Sequence, residues 1–401
     1  MTFIKRVIHK AYLGMMAGVI RFMPPDVFTL FAGEGSSRQL VGHLARQGAS
    51  RLLIVSDKPL VELGLIQPLV RRCDELGVAC AVFDGVLPDP TFSIVEAGLE
   101  VFREHRADAV LAIGGGSSID TGKTIAAAAT NGFAPRKLEG YFKVKHPPVP
   151  LYAIPTTSGT GSEVTKGAVI ADSDTHLKAY VADPKMVPVA VALDPALLTG
   201  LPPAITAATG MDALTHAIEA YISVWCNPRC ERYALAAIKM IFTHLPRAYQ
   251  NGGDLEAREQ MSLAACYAGL AINDTNIGNV HALAHQLGRV YGIPHGLANA
   301  IVLPYVLEET FDACASRLAN LARVLGFSES GSDGEAARAF IAEVVALNQR
   351  LNIAAGLDKL AAADVEDLAS AAAREGSRLP VPVLVPREGF ASVLQRLLVV
   401  V

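Results

Sequence analysis

A chain of 401 residues, 51% hydrophobic and 18% charged, is long and apolar enough for two cores and is not a disordered chain. Its formal net charge of −4, with no basic run, argues against nucleic acid as a partner. No apolar stretch is long enough to span a membrane as a helix, and the six scattered cysteines read as reduced thiols of a cytoplasmic protein.

In chain order, Lys5, Arg6 and Lys10 precede an apolar run, Ala11 to Ile20, that Arg21 closes. The run is short and no small-x-small cleavage site follows, so it reads as an amphipathic segment packed on the body. Residues 28–32 read as a short strand and 38–48 as a helix. Arg51 to Asp57 is a continuous apolar run of the kind buried on both faces of a parallel sheet. A helix follows to about residue 76. Val78–Asp84 is a second strand of this type, Thr91–Arg106 a helix, Ala109–Ile113 a third strand and Thr121–Ala129 a helix. Val149–Ile154 is another strand, and 167–171 and 187–193 offer two more. This alternation predicts a doubly wound α/β domain. After Asp194-Pro195 and Leu201-Pro202-Pro203 the texture turns Ala- and Leu-rich, with helical periodicity and no strand. The sequence therefore divides near residue 200, into an α/β domain (1–200) and an all-helical domain (201–401).

Two loops in the first part suit a nucleotide. Gly114-Gly115-Gly116-Ser117 follows a strand and precedes a helix, where glycines let a pyrophosphate approach the backbone and the helix end supplies free N–H groups. Three glycines are also an ordinary tight turn, but Pro155–Thr165, rich in hydroxyls and glycine, ends another strand and adds donors. Asp57 ends the first buried strand. A carboxylate there either holds the ribose hydroxyls of NAD and repels a 2′-phosphate, or simply caps the next helix.

The second part carries histidines at helical spacing. His281 and His285 are four apart, as are Asp212 and His216, so each pair shares a helix face. Gly288, Gly292 and Pro294 break the His281 helix, and His295 opens the next segment. One such pair is more often a core or surface pair than a metal site. Two pairs in an Ala-rich background can supply one carboxylate and three imidazoles, a set that suits a divalent transition metal with open positions. Spacing leaves open whether His285 or His295 is the third imidazole. Cys226 and Cys230 are also four apart, but lack the second pair of a structural zinc site.

In combination, Gly114–Asp120, Pro155–Glu163, Ala208–Ala220 and His281-x₃-His285-x₉-His295-Gly296 resemble the iron-dependent (group III) alcohol dehydrogenase family, over residues 28–310 with a weaker helical tail. The resemblance implies a Rossmann-like N-terminal dinucleotide-binding domain and an all-α C-terminal metal-binding domain, the dehydroquinate synthase-like architecture, with the active site in the cleft between them. It implies metal ligands Asp212, His216, His281 and His295, and gives His285 a catalytic role beside the nicotinamide and substrate. The cofactor positions it implies are Asp57, Asp89, Gly115, Gly116, Ser117, Asp120, Thr156, Thr157, Thr165, Lys178 and Leu197. Asp89 stands where the family often has Asn and adds negative charge near the adenine side. The implied activity is hydride transfer between a small alcohol or aldehyde and NAD, with the alkoxide on a divalent metal: Fe²⁺, with Zn²⁺ and Mn²⁺ also compatible with the ligand set. A homodimer is implied too. Dehydroquinate synthase and glycerol-1-phosphate dehydrogenase share this architecture, but their phosphorylated substrates call for a basic cluster that the metal-binding helices do not show. A non-catalytic regulator would have no need of a carboxylate and three histidines beside a nucleotide loop.

Overall fold

The computed structural model describes residues 14, 15, 18, 27–173 and 178–398. Apart from those three positions, the amphipathic segment read at Ala11–Ile20 lies outside the described residues. The chain forms two compact units, residues 27–202 with 251–269, and residues 203–250 with 270–398.

The first unit is α/β. Its strands are β1 (Thr29–Ala32), β2 (Arg51–Asp57), β3 (Ala79–Val86), β4 (Ala109–Gly114), β5 (Gly140–Tyr141), β6 (Leu151–Pro155), β7 (Gly167–Ala171), β8 (Lys178–Ala182) and β9 (Ala190–Leu193). Six make a parallel sheet in the order β1-β9-β6-β4-β2-β3. β4 and β6 are buried at every residue, which is why they read as unbroken apolar runs rather than alternating ones. Around the sheet lie α1 (Ser36–Arg46), α2 (Lys58–Glu62), α3 (Gln67–Glu75), α4 (Phe92–His105) and α5 (Gly116–Thr130). One core packs α4 and α5 over one face, around Phe92, Leu99 and Ile125; the other packs α1 and α3 over the opposite face, around Leu40, Leu44 and Leu69. Two details differ from the sequence reading. The helix expected at Thr121 begins five residues earlier, because Gly115 is already its extended N-cap. A second sheet, β5-β8-β7, was not foreseen: β5 is two residues long, and β8 supplies only five to pair antiparallel with β7.

Residues 251–269, which the sequence reading assigned to the helical part, group with the α/β unit. They carry about the first four turns of α8 (Leu255–Thr275). A side chain on Gly161 would strike the backbone of Gly269, so the two chains meet at bare glycines. Ser158 Oγ lies 3.2 Å from Ser262 Oγ, and the buried Arg258 guanidinium donates to the carbonyls of Gly252 and Leu201 at 3.1 Å each.

The second unit is helical: α6 (Pro203–Ile222), α7 (Pro228–Gln250), the end of α8, α9 (Asn279–Tyr291), α10 (His295–Glu309), α11 (Phe311–Val324), α12 (Asp333–Arg350), α13 (Val365–Gly376) and α14 (Arg387–Leu397). α6 is buried on all sides from Gly210 to Tyr221, which accounts for its lack of a polar face. Gly292 ends α9 in the left-handed region (φ 64°), and Pro294 is the cap from which α10 starts.

Candidate functional site

The helical unit brings four predicted metal ligands together. Asp212 and His216 come from one face of α6, His281 from α9, and His295 from the first residue of α10. One donor atom from each lies within 4.8 Å of the others. Asp212 Oδ1 is 3.4 Å from His295 Nε2 and 3.7 Å from His281 Nε2, and the His216 and His281 rings stack at 4.5 Å. Gly296 makes the approach possible. Any side chain there would overlap the Ala208 carbonyl of α6, so glycine lets α10 carry His295 up to Asp212. His285 is 5.3 Å from His295, ring to ring, but is not part of the donor cluster.

The buried surroundings tune these groups. Glu219, one turn beyond His216, accepts from His281 Nδ1 at 2.6 Å and from the N–H groups of Gly278 and Val280, each at 2.6 Å. That fixes the imidazole with Nδ1 toward Glu219 and leaves Nε2 for an ion. Burial alone would lower the His281 pKa, but the Glu219 and Asp212 carboxylates outweigh it and push it up to about 9. Burial would likewise raise Asp212; His216, His295 and His281 more than offset that and hold its carboxyl well below the usual range. A buried carboxylate, whose charge attracts a cation, and three convergent imidazoles, whose neutral rings offer nitrogen lone pairs, form a donor set that fits a divalent metal. His285 Nδ1 pairs with Glu375 Oε1 at 2.6 Å, and Gln286 donates to the other oxygen at 2.9 Å.

Three residues of this cluster escaped the sequence reading. Glu219 carries a signal, lying seven residues after Asp212 and three after His216 on the same apolar face. Asn299, four residues after His295, puts its amide nitrogen 2.7 Å from Asp212 Oδ1, 3.1 Å from His281 Nε2 and 3.2 Å from His295 Nε2. Glu375 sits on α13, ninety residues from His285, and has no local signal.

The predicted cofactor residues lie in the α/β unit. Gly115 caps α5 and Gly116 and Ser117 open it, so the helix N-terminus faces the end of β4. Gly114 has φ 149°, and a side chain there would overlap Ser118. Thr156 follows β6 and donates its N–H to Gly114 O at 3.0 Å; Thr157 lies beside Gly115. Leu197 sits in a short turn after β9, packed on the core. The polar residues engage protein groups as well. Asp57 accepts from the Leu60 N–H at 2.9 Å as the cap of α2. Asp89, at φ 52°, pairs with Lys178 at 3.2 Å. Asp120 accepts from Ser162 Oγ and, at 2.8 Å, from the Val169 N–H. Thr165 accepts from the buried Lys123, which donates to its Oγ1 at 2.8 Å and its carbonyl at 2.7 Å. Burial pulls the Lys123 pKa down to about 8 and lifts that of nearby Glu163 to about 7.

The family model described as iron-containing alcohol dehydrogenase matches residues 29–195, and the C-terminal model of the Fe-containing alcohol dehydrogenase family matches residues 206–398. The chain belongs to that family. Its activity is oxidation of alcohols or reduction of aldehydes, and iron and NAD are the family's cofactors. The chain is 40% identical to the NAD-dependent methanol dehydrogenase of Bacillus methanolicus, over 84% of this chain and 87% of that one. It is 40% identical to the lactaldehyde reductase of Escherichia coli, over 81% and 85%. The solved alcohol dehydrogenase from Oenococcus oeni superposes with a TM-score of 0.90 at 34% identity, covering 93% of this chain and all of that one. Among the described residues no helix is long and apolar enough to cross a membrane.

Proposed function

We propose that Asp212, His216, His281 and His295 hold the iron, that the Gly114–Ser117 turn and the Thr156–Thr165 loop hold NAD, and that the substrate is a small uncharged alcohol or its aldehyde. The convergence of the four donor atoms carries this reading. When bound, iron supplies Lewis acidity at the alcohol oxygen and NAD accepts the hydride. The chain's own groups do the rest. Asp212 offsets ion charge. Glu219 keeps His281 in one tautomer, so its Nε2 lone pair faces the donor cluster. His285, held at Nδ1 by Glu375 and 5.3 Å from His295 ring to ring, takes or returns the alcohol proton or positions the substrate. The N-terminus of α5, flanked by glycines, presents N–H groups to a pyrophosphate. Asp57 keeps a second carboxylate oxygen beyond its cap bond, which suits ribose hydroxyls and supports NAD over NADP.

The same reading makes the protein a cytoplasmic homodimer. Its six thiols include no disulfide among the described residues, and β1 is an edge strand with Leu30 exposed, a surface suited to pairing with a second copy. Elemental analysis of protein purified without oxygen, with NAD⁺ reduction against a panel of small alcohols, tests the assignment. About one equivalent of iron, with turnover abolished by chelator and restored by metal, is expected. Metal-free protein inactive after reconstitution would sink it.

A further inference from the structure

One cluster in the helical unit takes no part in that reading. Cys226 lies in the turn after α6 and Cys230 in the first turn of α7, with their sulfurs 3.6 Å apart. Arg317 of α11 donates Nη2 to the Cys226 sulfur at 3.5 Å. This guanidinium is fixed from several sides. Its Nε and Nη2 donate to the Tyr221 carbonyl at 3.1 and 2.6 Å, it lies 3.7 Å over the Tyr221 ring, and Nη1 pairs with Glu231 at 3.2 Å. Asn227 fixes the turn between the cysteines, its Oδ1 accepting from the N–H groups of Arg229 and Cys230 at 2.9 and 3.0 Å.

The two thiols are unequal. Cys226 is only partly buried and stands against a cation; Cys230 is fully buried, its sulfur 3.6 Å from the Ala220 carbonyl. The Cys230 thiol and then Arg317 hold Cys226 below the usual thiol range, against the effect of burial. Cys230 is pushed up by its hydrogen bond to Cys226, by burial and by the charge on Cys226. Oxidation of Cys226 would remove that charge and hydrogen bond, and so free Cys230 to react. A reachable thiol stabilised by a cation, with a buried thiol touching it, is an attacking and resolving arrangement. The other close pair, Cys73 and Cys80, provides an internal contrast: its charged neighbour is Asp74, which opposes the thiolate.

We propose that Cys226 and Cys230 form a reversible, peroxide-reactive dithiol. The Cys226 thiolate attacks one oxygen of a hydroperoxide; the O–O bond breaks, an S–O bond forms, and an alcohol or water leaves with a proton. Cys230 sulfur then attacks Cys226 sulfur; the S–S bond forms, the S–O bond breaks, and water leaves with the Cys230 proton. The hydroperoxide takes both electrons, and a thiol reductant reverses the change.

The test uses full-length, metal-loaded enzyme treated with a few equivalents of hydrogen peroxide, alkylated and digested with trypsin. Cleavage after Arg229 separates the cysteines, so a disulfide leaves the peptide Met186–Arg229 joined to Cys230–Arg232. The joined species is expected, and dithiothreitol should abolish it. Cys230→Ser should leave Cys226 as a sulfenic acid trapped by dimedone, with no joined peptide. Arg317→Leu should slow joining by about tenfold. Because Arg317 also braces Tyr221, a second readout needs no variant: in the native enzyme iodoacetamide should label Cys226 at least about tenfold faster than the similarly exposed Cys80. Equal labelling of the two would overturn the proposal. So would Cys226 running on to sulfinic acid without a joined peptide, or a disulfide at Cys73–Cys80 instead.

Discussion

The proposed sites of the helical and α/β units rest on opposite kinds of group. In the helical unit, side chains from three helices converge, and each donor is a residue type chosen for its lone pair. In the α/β unit the candidate cradle is backbone, the start of α5 and the end of β4, and the polar side chains nearby largely serve the protein itself. Asp57 caps α2, Asp120 ties Ser162 to β7, and Thr165 receives Lys123. The contrast teaches that a side-chain site shows its ligands in sequence and hides their supports, whereas in a backbone site the polar residues that the sequence shows also brace the protein.

Breaking the side-chain site should have the largest effect. His281→Ala is expected to lose its metal and to lower turnover by roughly a thousandfold or more, read by elemental analysis and NAD⁺ reduction. The strongest test of the backbone site is Glu163, buried within the Thr156–Thr165 loop. Its folded-state pKa, about 7, lies above the ordinary carboxyl value of 4.5. A raised value means that its contribution to stability is full below pH 4.5 and is lost as the pH rises through 7. Relative to Glu163→Gln, the native enzyme should therefore lose about 3 kcal/mol of unfolding free energy across that window, measured by denaturant titration. A flat difference would remove Glu163 as a buried acid. Glu219→Gln should weaken metal binding by roughly 10- to 100-fold while leaving NAD affinity unchanged, since it acts only through His281 and the start of α9. Equal weakening of NAD would blur the division between the two sites. Smallest is Glu375→Gln, expected to lower kcat about tenfold at constant metal content; lost metal there would make Glu375 a support of the donor cluster rather than of His285.

The legible parts of the chain were those with local physics. β2, β4 and β6 announced themselves because burial on both faces needs continuous apolar runs, and Asp212/His216 because four residues are one helical turn. The spacing could not rank His285 against His295; in the fold Gly296 lets α10 close on α6, which brings His295 rather than His285 into the donor cluster. Glu375 was hidden because its partner is 90 residues away; Glu219 had helical spacing from His216 as a signal, but nothing local shows that it reaches His281, 62 residues on. The small sheet was hidden by the brevity of β5 and β8. Residues 251–269 were read with the helical domain because helical periodicity says nothing about which core a helix joins.

That last segment bears on any attempt to cut the gene in two. Among the described residues from 27 onward, the backbone passes between units three times, at 202/203, 250/251 and 269/270. A fragment stopping at Pro202 would encode every strand of the six-stranded sheet yet omit Arg258, the largest fully buried side chain among the described residues, together with Ser262 and Gly269. The Leu201 carbonyl would lose its donor and Gly161 would face solvent. An autonomous nucleotide module would have to be built by grafting 251–269 back onto the fragment, and swapping halves between relatives would succeed only if that stretch travelled with the sheet.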